Sequence, residues 1–313
     1  MSFRLFVYYA ALIGAWTAML GWLLGRWLTD RFIGPNDLVS QTGVRALSLG
    51  VTVAFGLGLL DALWNLGWRN ILQVLGRLAV AIVLGGLGGL AGGALAQYLV
   101  LWTPQHEIAY GVAGWSLVGL AIGASISAFE FLSGRFDPSI RHATGKFLKC
   151  MVGGALGGLI GGTVALFVRD AWLRLFADKQ ADLLWTPSAL GFVALGLFIG
   201  LLVALVQVVL KDAWIRVERG FRPGREMILS KNKIVIGRAE SSDIAMFGDP
   251  AVEMTHAVLF HHGSEYAVQD AGSKAGTFVN DMRISERTVL HSGDLIRVGQ
   301  NVMRFSESGP RRR

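Results

Sequence analysis

Between Leu5 and Leu210 the apolar residues come in runs of 15 to 28 positions with hardly an ionisable side chain among them. After Leu210 they come in short groups that alternate with polar residues. A helix rises about 1.5 Å per residue, so about 20 apolar residues cross the hydrocarbon of a bilayer. Leu5–Gly25, Leu78–Gln105, Ile108–Phe129, Cys150–Val168 and Leu183–Leu210 meet or nearly meet that length, and the shorter Ala46–Leu60 does so if Arg45 and Asp61 lie at the two interfaces. The pattern predicts six spanning helices, at about 4–27, 44–65, 77–102, 108–132, 147–169 and 186–210, within a membrane block 1–211. The first run follows Arg4 but is longer than a secretory signal core and lacks a small-residue cleavage site before GRWLTDR, so it is read as a helix. Nine of the ten tryptophans lie in this block, several at run ends where an aromatic belt belongs.

The block also repeats itself. A shift of 69 residues brings Gly50 onto Gly119, Asp61 onto Glu130, Gly76 onto Gly145 and Arg77 onto Lys146, and lays GGLGGLAGG (85–93) over GALGGLIGG (154–162). The expectation is a helical hairpin present twice in the same orientation. The spacing of Gly196, Gly200 and Gln207 matches Gly119, Gly123 and Glu130, as if helix six began a third copy. Gly85, Gly89 and Gly93, and likewise Gly154, Gly158 and Gly162, recur every four residues and form a smooth stripe on a helix. Such stripes let a neighbouring backbone approach, so helices three and five are expected to pack closely, against each other across a pseudo-twofold axis; a pore-lining role is the alternative. Asp61 and Glu130 sit at helix ends, with Arg77 and Lys146 at the start of the next helix, and interfacial salt bridges closing each hairpin are the expected arrangement. A proton or ion relay is the alternative.

From Trp214 onward, WIRVERG, REMIL, KIVIG, AVLFHH, YAVQD, TFV, TVL, DLIRVG and VMRFSE are punctuated by RPG, HHGS, DAGSKAG and HSGD. Many short strands with close turns predict an antiparallel β-sandwich over 212–307, followed by a basic tail, 308–313. The fold class is therefore an α-helical transmembrane bundle plus a C-terminal all-β sandwich, joined without a Gly/Ser- or Pro-rich linker.

Composition sharpens the picture. With 53% apolar and 16% charged residues the chain has the balance of a membrane protein, and its net charge of +7 comes from cations that flank the apolar runs. Contact with lipid headgroups is expected, and nucleic acid is not, since no Lys/Arg block interleaved with aromatics occurs. The single cysteine, Cys150, excludes an intrachain disulfide. The flanking cations divide seven to six between the two sides of a six-span arrangement, which leaves orientation to the C-terminal domain. No P-loop, nucleophile elbow, kinase set or His/Cys cluster with metal spacing is present, so neither catalysis nor a metal or other cofactor is expected.

The order IVIGR, SSDIAMFGDP, THAVL, YAVQDAGSKAGTFVND and LHSGDLIRVG resembles a forkhead-associated (FHA) domain, over roughly residues 213–307. Apolar repeats running into such a domain resemble bacterial multi-pass membrane proteins with a C-terminal FHA module. The resemblance implies a cytosolic, phosphothreonine-reading interaction domain on the inner membrane, with loops at one end of the sandwich holding the ligand. By that likeness Gly237 and Arg238 match the Gly-Arg pair whose arginine meets phosphate, His256 matches the histidine behind the binding loop, and Gly276, Thr277 and Asn280 match the scaffold. Three positions depart from the pattern: Glu253 stands for a phosphate-binding serine, Met254 for a polar or basic residue, and Ala275, after Lys274, for a peptide-holding asparagine.

A carboxylate at the serine position removes a donor and repels a phosphate. Arg238 is accordingly expected to pair with Glu253 and leave recognition phosphate-independent, with Lys274 as a cation that would favour phosphate. The functional expectation is a scaffold recruiting protein partners to the membrane; the alternative is a channel or transporter regulated by its FHA domain. A polar-lined continuous cavity would favour the alternative, and a glycine-packed dry bundle the scaffold.

Overall fold

The computed structural model describes residues 3–65, 71–133, 140–175, 186–209, 213–229, 233–240, 242–262 and 265–308; the side chains of a few helix-end residues, Glu130 among them, also lie outside the description. Two compact units result, one within Arg4–Val209 and the other within Leu210–Arg313.

The first unit holds six helices: α1 (Phe3–Phe32), α2 (Leu38–Asn65), α3 (Ile71–Trp102), α4 (Glu107–Ser133), α5 (Ile140–Leu175) and α6 (Pro187–Val209). All six are long and apolar enough to cross a membrane. Their ends follow from local chemistry. Gly34 and Pro35 stand just past α1. Asp37 caps α2 by accepting the Ser40 N–H at 3.0 Å, and the Ser40 hydroxyl, with this backbone bond second, holds its carboxyl below the usual range. A single 3-10 turn opened by Pro104 joins α3 to α4, and Thr186 caps α6 ahead of Pro187 at the first helical position.

The helices divide into two sets. In α2, α4 and α6 the most apolar stretch is 50 to 61% buried, against 28 to 39% in α1, α3 and α5. The inner three touch one another, and Val53, Leu57, Ile122, Leu195, Ile199 and Val203 form a closed apolar core between them and α1.

Glycine governs how the outer helices dock. A Cβ on Gly85 would strike Ala54 and the Gly50 carbonyl, and one on Gly89 would strike the Ala46 carbonyl, so one stripe of α3 lies against α2. In the same way Gly154 meets the Gly119 carbonyl and Gly158 the Trp115 carbonyl, and Gly14 on α1 meets the Gly196 carbonyl on α6. Each glycine stripe thus packs within its own hairpin. The expected contact of helices three and five across a twofold axis is not formed; the second faces of α3 and α5 meet α4 and α6, through Gly88 and Gly92 and through Gly153, Gly157 and Gly161.

The charges keep one expected pair and add a contact to it. Asp61 is 3% exposed, with Arg77 at 3.7 Å and Lys146 at 3.6 Å. The expected pairing of Asp61 with Arg77 is formed, and Lys146 also reaches Asp61 from the other hairpin; the pairing of Lys146 with Glu130 lies outside the described residues. Burying the carboxylate is costly, and its attraction to the two cations offsets that cost.

The second unit is a two-sheet sandwich. One sheet runs in the order β2 (Glu226–Ile228), β1 (Ala213–Arg219), β11 (Asn301–Glu307), β10 (Leu295–Val298), β7 (Thr277–Val279) and β8 (Met282–Arg283). The other runs β4 (Ile244–Ala245), β3 (Lys233–Gly237), β5 (Ala257–His262), β6 (Glu265–Asp270) and β9 (Thr288–Leu290). Alternation places Ile215, Val217, Ile234, Ile236, Leu259, Val268, Ile296, Met303 and Phe305 in one core between the sheets.

Candidate functional site

The candidate residues of the sandwich lie on three stretches that leave its strands at neighbouring points, and backbone bonds join the first two. The Arg238 N–H donates to the Glu253 carbonyl at 2.8 Å and the Ala239 N–H to the Met254 carbonyl at 3.2 Å. A Cβ at Gly237 would collide with the Met254 carbonyl, which is why glycine precedes Arg238: the stretch 253–254 passes too close for a side chain.

His256 ties in the third stretch. It is fully buried; its Nδ1 accepts the Glu253 N–H at 3.2 Å, and its Nε2 lies 3.2 Å from the Gly276 carbonyl. A ring whose Nδ1 accepts must carry its proton on Nε2, so Nε2 donates to Gly276. One imidazole thereby fixes the spacing between the loop bearing Glu253 and the loop bearing Lys274 and Ala275.

Beneath that third loop is a brace that the motif comparison did not single out. One oxygen of Asp270 accepts the hydroxyls of Ser273 and Thr277, each at 2.7 Å, and the other accepts the N–H groups of Gly272 and Ser273 at 3.0 and 2.8 Å. Ser273 Oγ then accepts the Gly276 N–H at 3.0 Å. Burial pushes the Asp270 carboxyl upward, but these four donors outweigh it and hold its pKa below 3.8. The signal was in the sequence as D-x-x-S-x-x-x-T, an Asx-type turn spelled by its acceptor and donors. Asp249 acts similarly on the second loop, joining Ala251, Gln300 and the buried Asn301 through its two oxygens at 2.7 to 3.1 Å.

Asn280 lies farther along. With Asp281 it forms a two-residue turn at φ 50° and 63° between β7 and β8, and its amide bridges Asp294 and the Leu295 N–H. Gly276 adopts φ 76°, a left-handed conformation, next to the Arg283 guanidinium.

At the surface of these loops Arg238, Lys274 and Ala275 are exposed, Met254 is 61% exposed and Glu253 is half-buried. Among the described residues no ion pair joins the Arg238 guanidinium to the Glu253 carboxylate: the two residues are linked through the backbone alone. The internal carboxylate pairing expected from the sequence is therefore not formed. A main-chain bond brings two residues into register without bringing their side-chain ends together. The result is a cation open to a ligand beside a carboxylate that stands apart from it. His261, near His256 in sequence, stacks on Tyr266 with ring centres 4.2 Å apart.

Residues 234–299 match the family model described as "FHA domain". Over 87 residues the chain is 31% identical to the FHA domain-containing protein FhaB of Mycobacterium tuberculosis, covering 28% of this chain and 56% of that protein. It is 38% identical over 96 residues to the oxoglutarate dehydrogenase inhibitor of Corynebacterium diphtheriae, covering 30% and 64%. The chain thus spans a little over half the length of these relatives, and they match its C-terminal part. Among solved structures, the FHA domain of the CT664 protein from Chlamydia trachomatis is similar at 20% identity and a TM-score of 0.29, over 31% of this chain and 99% of that one. The sandwich that follows the six apolar helices is thus similar, over residues 234–299, to FHA domains, a family of protein-interaction modules.

Proposed function

We propose that the chain is a multi-pass protein of the bacterial inner membrane that holds its FHA domain on the cytosolic side and recruits a protein partner there, without a strict requirement for phosphate. Six helices of spanning length and a buried apolar core among α1, α2, α4 and α6 support the anchoring part. The relatives named above include an inhibitor of another enzyme, which supports a regulatory, non-catalytic role. In this reading the loop framework built by Gly237, His256, Gly276, Thr277 and Asn280 is that of a binding domain, while the contact positions Arg238, Glu253, Met254, Lys274 and Ala275 have been reassigned.

One observation carries the phosphate part of the proposal: Glu253 presents a half-buried carboxylate on the loop whose backbone is bonded to Arg238. A phosphothreonine brings nearly two negative charges, and on this loop it would meet a carboxylate at the position where a serine hydroxyl would donate. A partner with a single carboxylate and an apolar side chain for Met254 meets less repulsion.

The test is binding of the full chain in detergent to a phosphothreonine peptide library and its unphosphorylated twin. Wild type is expected to discriminate between the two by less than about tenfold, and Glu253→Ser to gain at least about tenfold for phosphopeptides, the worth of one restored charge-assisted bond and one removed repulsion. Strong phosphopeptide binding by wild type that Arg238→Ala abolishes would sink the proposal.

A further inference from the structure

At one end of the helical unit, α3, α4 and α5 part around a cavity of about 720 Å³ that faces the ends of the helices nearest the turn at Pro104. That volume is within the range of small-molecule sites, roughly 300–1,000 Å³. Its walls are of two kinds. Val100, Ile108, Val112, Leu166 and Phe167 are apolar, and Ile108 and Phe167 are about 70% exposed. Gln97, Glu107, Trp115 and Arg169 supply polar groups.

Those polar groups are unspent. The Gln97 side-chain oxygen accepts the Thr42 hydroxyl at 3.3 Å, but among the described residues nothing accepts the Gln97 amide N–H or the Trp115 indole N–H. Asp170, also on the wall, is neutralised by Arg174 at 2.8 Å. Arg169 and Glu107 make no ion pair, either with each other or with any other described residue. The cavity therefore offers one open cation, one open anion, two spare donors and an apolar wall leading away from them. Trp102, Tyr98 and Leu101 stand exposed near the same end, a grouping suited to the level of lipid headgroups.

We propose that this cavity binds one zwitterionic phospholipid: its phosphodiester meets Arg169 with the spare donors of Gln97 and Trp115, its ammonium meets Glu107, and an acyl chain lies along Val112, Leu166 and Phe167. The committed occupant is an ammonium-bearing lipid such as phosphatidylethanolamine, because one unpaired charge of each sign complements a headgroup with one of each. An anionic lipid such as phosphatidylglycerol would leave Glu107 without a cationic partner. The site rests on the membrane-spanning reading of the six helices and goes beyond it, since general lipid contact needs no cavity.

Gly111 gives a clean way to test this. It lies on the cavity wall, and a Cβ there would meet no atom within 4 Å. Gly111→Leu should fill the space without displacing a helix. The full chain is first taken through alkaline carbonate extraction, then purified in mild detergent and titrated with phosphatidylethanolamine or phosphatidylglycerol under native mass spectrometry. Parallel arms contain phosphoethanolamine or inorganic phosphate alone. Wild type is expected to retain one phosphatidylethanolamine, in preference to phosphatidylglycerol. Gly111→Leu and Arg169→Gln should each weaken retention by at least about tenfold, the effect of one charge-assisted contact. Both should unfold at the wild-type temperature, and Arg26→Gln, away from the cavity, should bind as wild type does. Equal retention by Gly111→Leu and wild type, a preference for phosphatidylglycerol, or equal binding of inorganic phosphate would each overturn the proposal. Release of the chain by carbonate would instead remove the membrane reading on which the site stands.

Discussion

Gly154 in the helical unit and Gly272 in the sandwich are both places where a side chain is unwelcome, for unrelated reasons. Gly154 has ordinary helical backbone, and what forbids a Cβ is the Gly119 carbonyl of the facing helix. Gly272 has nothing within 4 Å of where its Cβ would be, but its φ of 85° is one that other residues adopt only with strain. At Gly154, as at Gly237 of the sandwich, glycine is a matter of space between elements; at Gly272 it is a matter of dihedral angle within one turn. Substitutions at the first kind of position should therefore hurt in proportion to side-chain size, and at the second by an amount nearly independent of it.

The largest effect follows from the first half of that contrast. Gly154→Leu drives a branched side chain into the backbone of α4, which cannot rotate away as a side chain would, so about 3 kcal/mol of destabilisation or more is expected. Thermal unfolding of the full chain in detergent would register it as an early transition confined to helix signal, with the sandwich unaffected. A melting curve superimposable on wild type would mean that α4 and α5 do not approach as closely as described.

His256→Ala is the counterpart in the sandwich, expected to cost about 2–4 kcal/mol. It leaves a cavity, an orphaned Glu253 N–H and an orphaned Gly276 carbonyl. Hydrogen exchange should speed up at the Glu253 amide well before the core of β5 and β6 opens. If both exchanged at a common rate, the ring would be a packing residue and not a loop tie.

How much of this could be read from the sequence also differs between the two regions. The six helices follow from run length alone, because hydrophobicity over about 20 residues leaves few other structures open to a chain. The four-residue glycine spacing announces a close approach but not the partner. Gly85 and Gly154 carry no mark distinguishing α2 and α4 from each other as neighbours, and only three-dimensional packing makes the choice. Lys146 shows the same limit, since a shift of 69 residues gives no sign of the contact it makes with Asp61 of the other hairpin.

In the sandwich, the order of short motifs located the loops, and the Gly-Arg pair had a reason visible only in the structure, the passage of Met254 behind Gly237. Arg238 and Glu253 looked like an ion pair because opposite charges were due to meet at one site. What joins them is a backbone hydrogen bond, and sequence carries no record of where two long side chains end. The Asp270 brace is legible in the sequence as a turn signature, D-x-x-S-x-x-x-T, whose residues hold the contact positions without being among them.

That brace supplies the third prediction. Its hydrogen bonds favour the ionised carboxylate, so the folded pKa is depressed and the contribution is fully present above the unfolded value near 3.8. As pH falls below about 4 and through the still lower folded pKa, the contribution is lost. Asp270→Asn should cost about 1–2 kcal/mol at neutral pH, as amide replaces acceptor toward one set of donors. The difference between variant and wild type should then shrink as both are acidified. A constant gap from neutral pH down to 3 would mean that the four donors do not depend on the charge.

The smallest effect is also the one with the opposite sign, and it tests the space argument on a single helix. Gly145 and Gly158 both lie on α5, and a Cβ at Gly158 would strike the Trp115 carbonyl, whereas one at Gly145 meets nothing within 4 Å. Alanine at Gly145 should therefore show only its better helix propensity and its less mobile unfolded chain, a gain of about 0.5–1 kcal/mol. At Gly158 the same methyl group should lower the unfolding temperature, because the gain in propensity is smaller than the displacement it forces on α4. Equal shifts of one sign at the two positions would show that the glycines of α5 set its backbone flexibility, and that the approach to α4 is not what selects them.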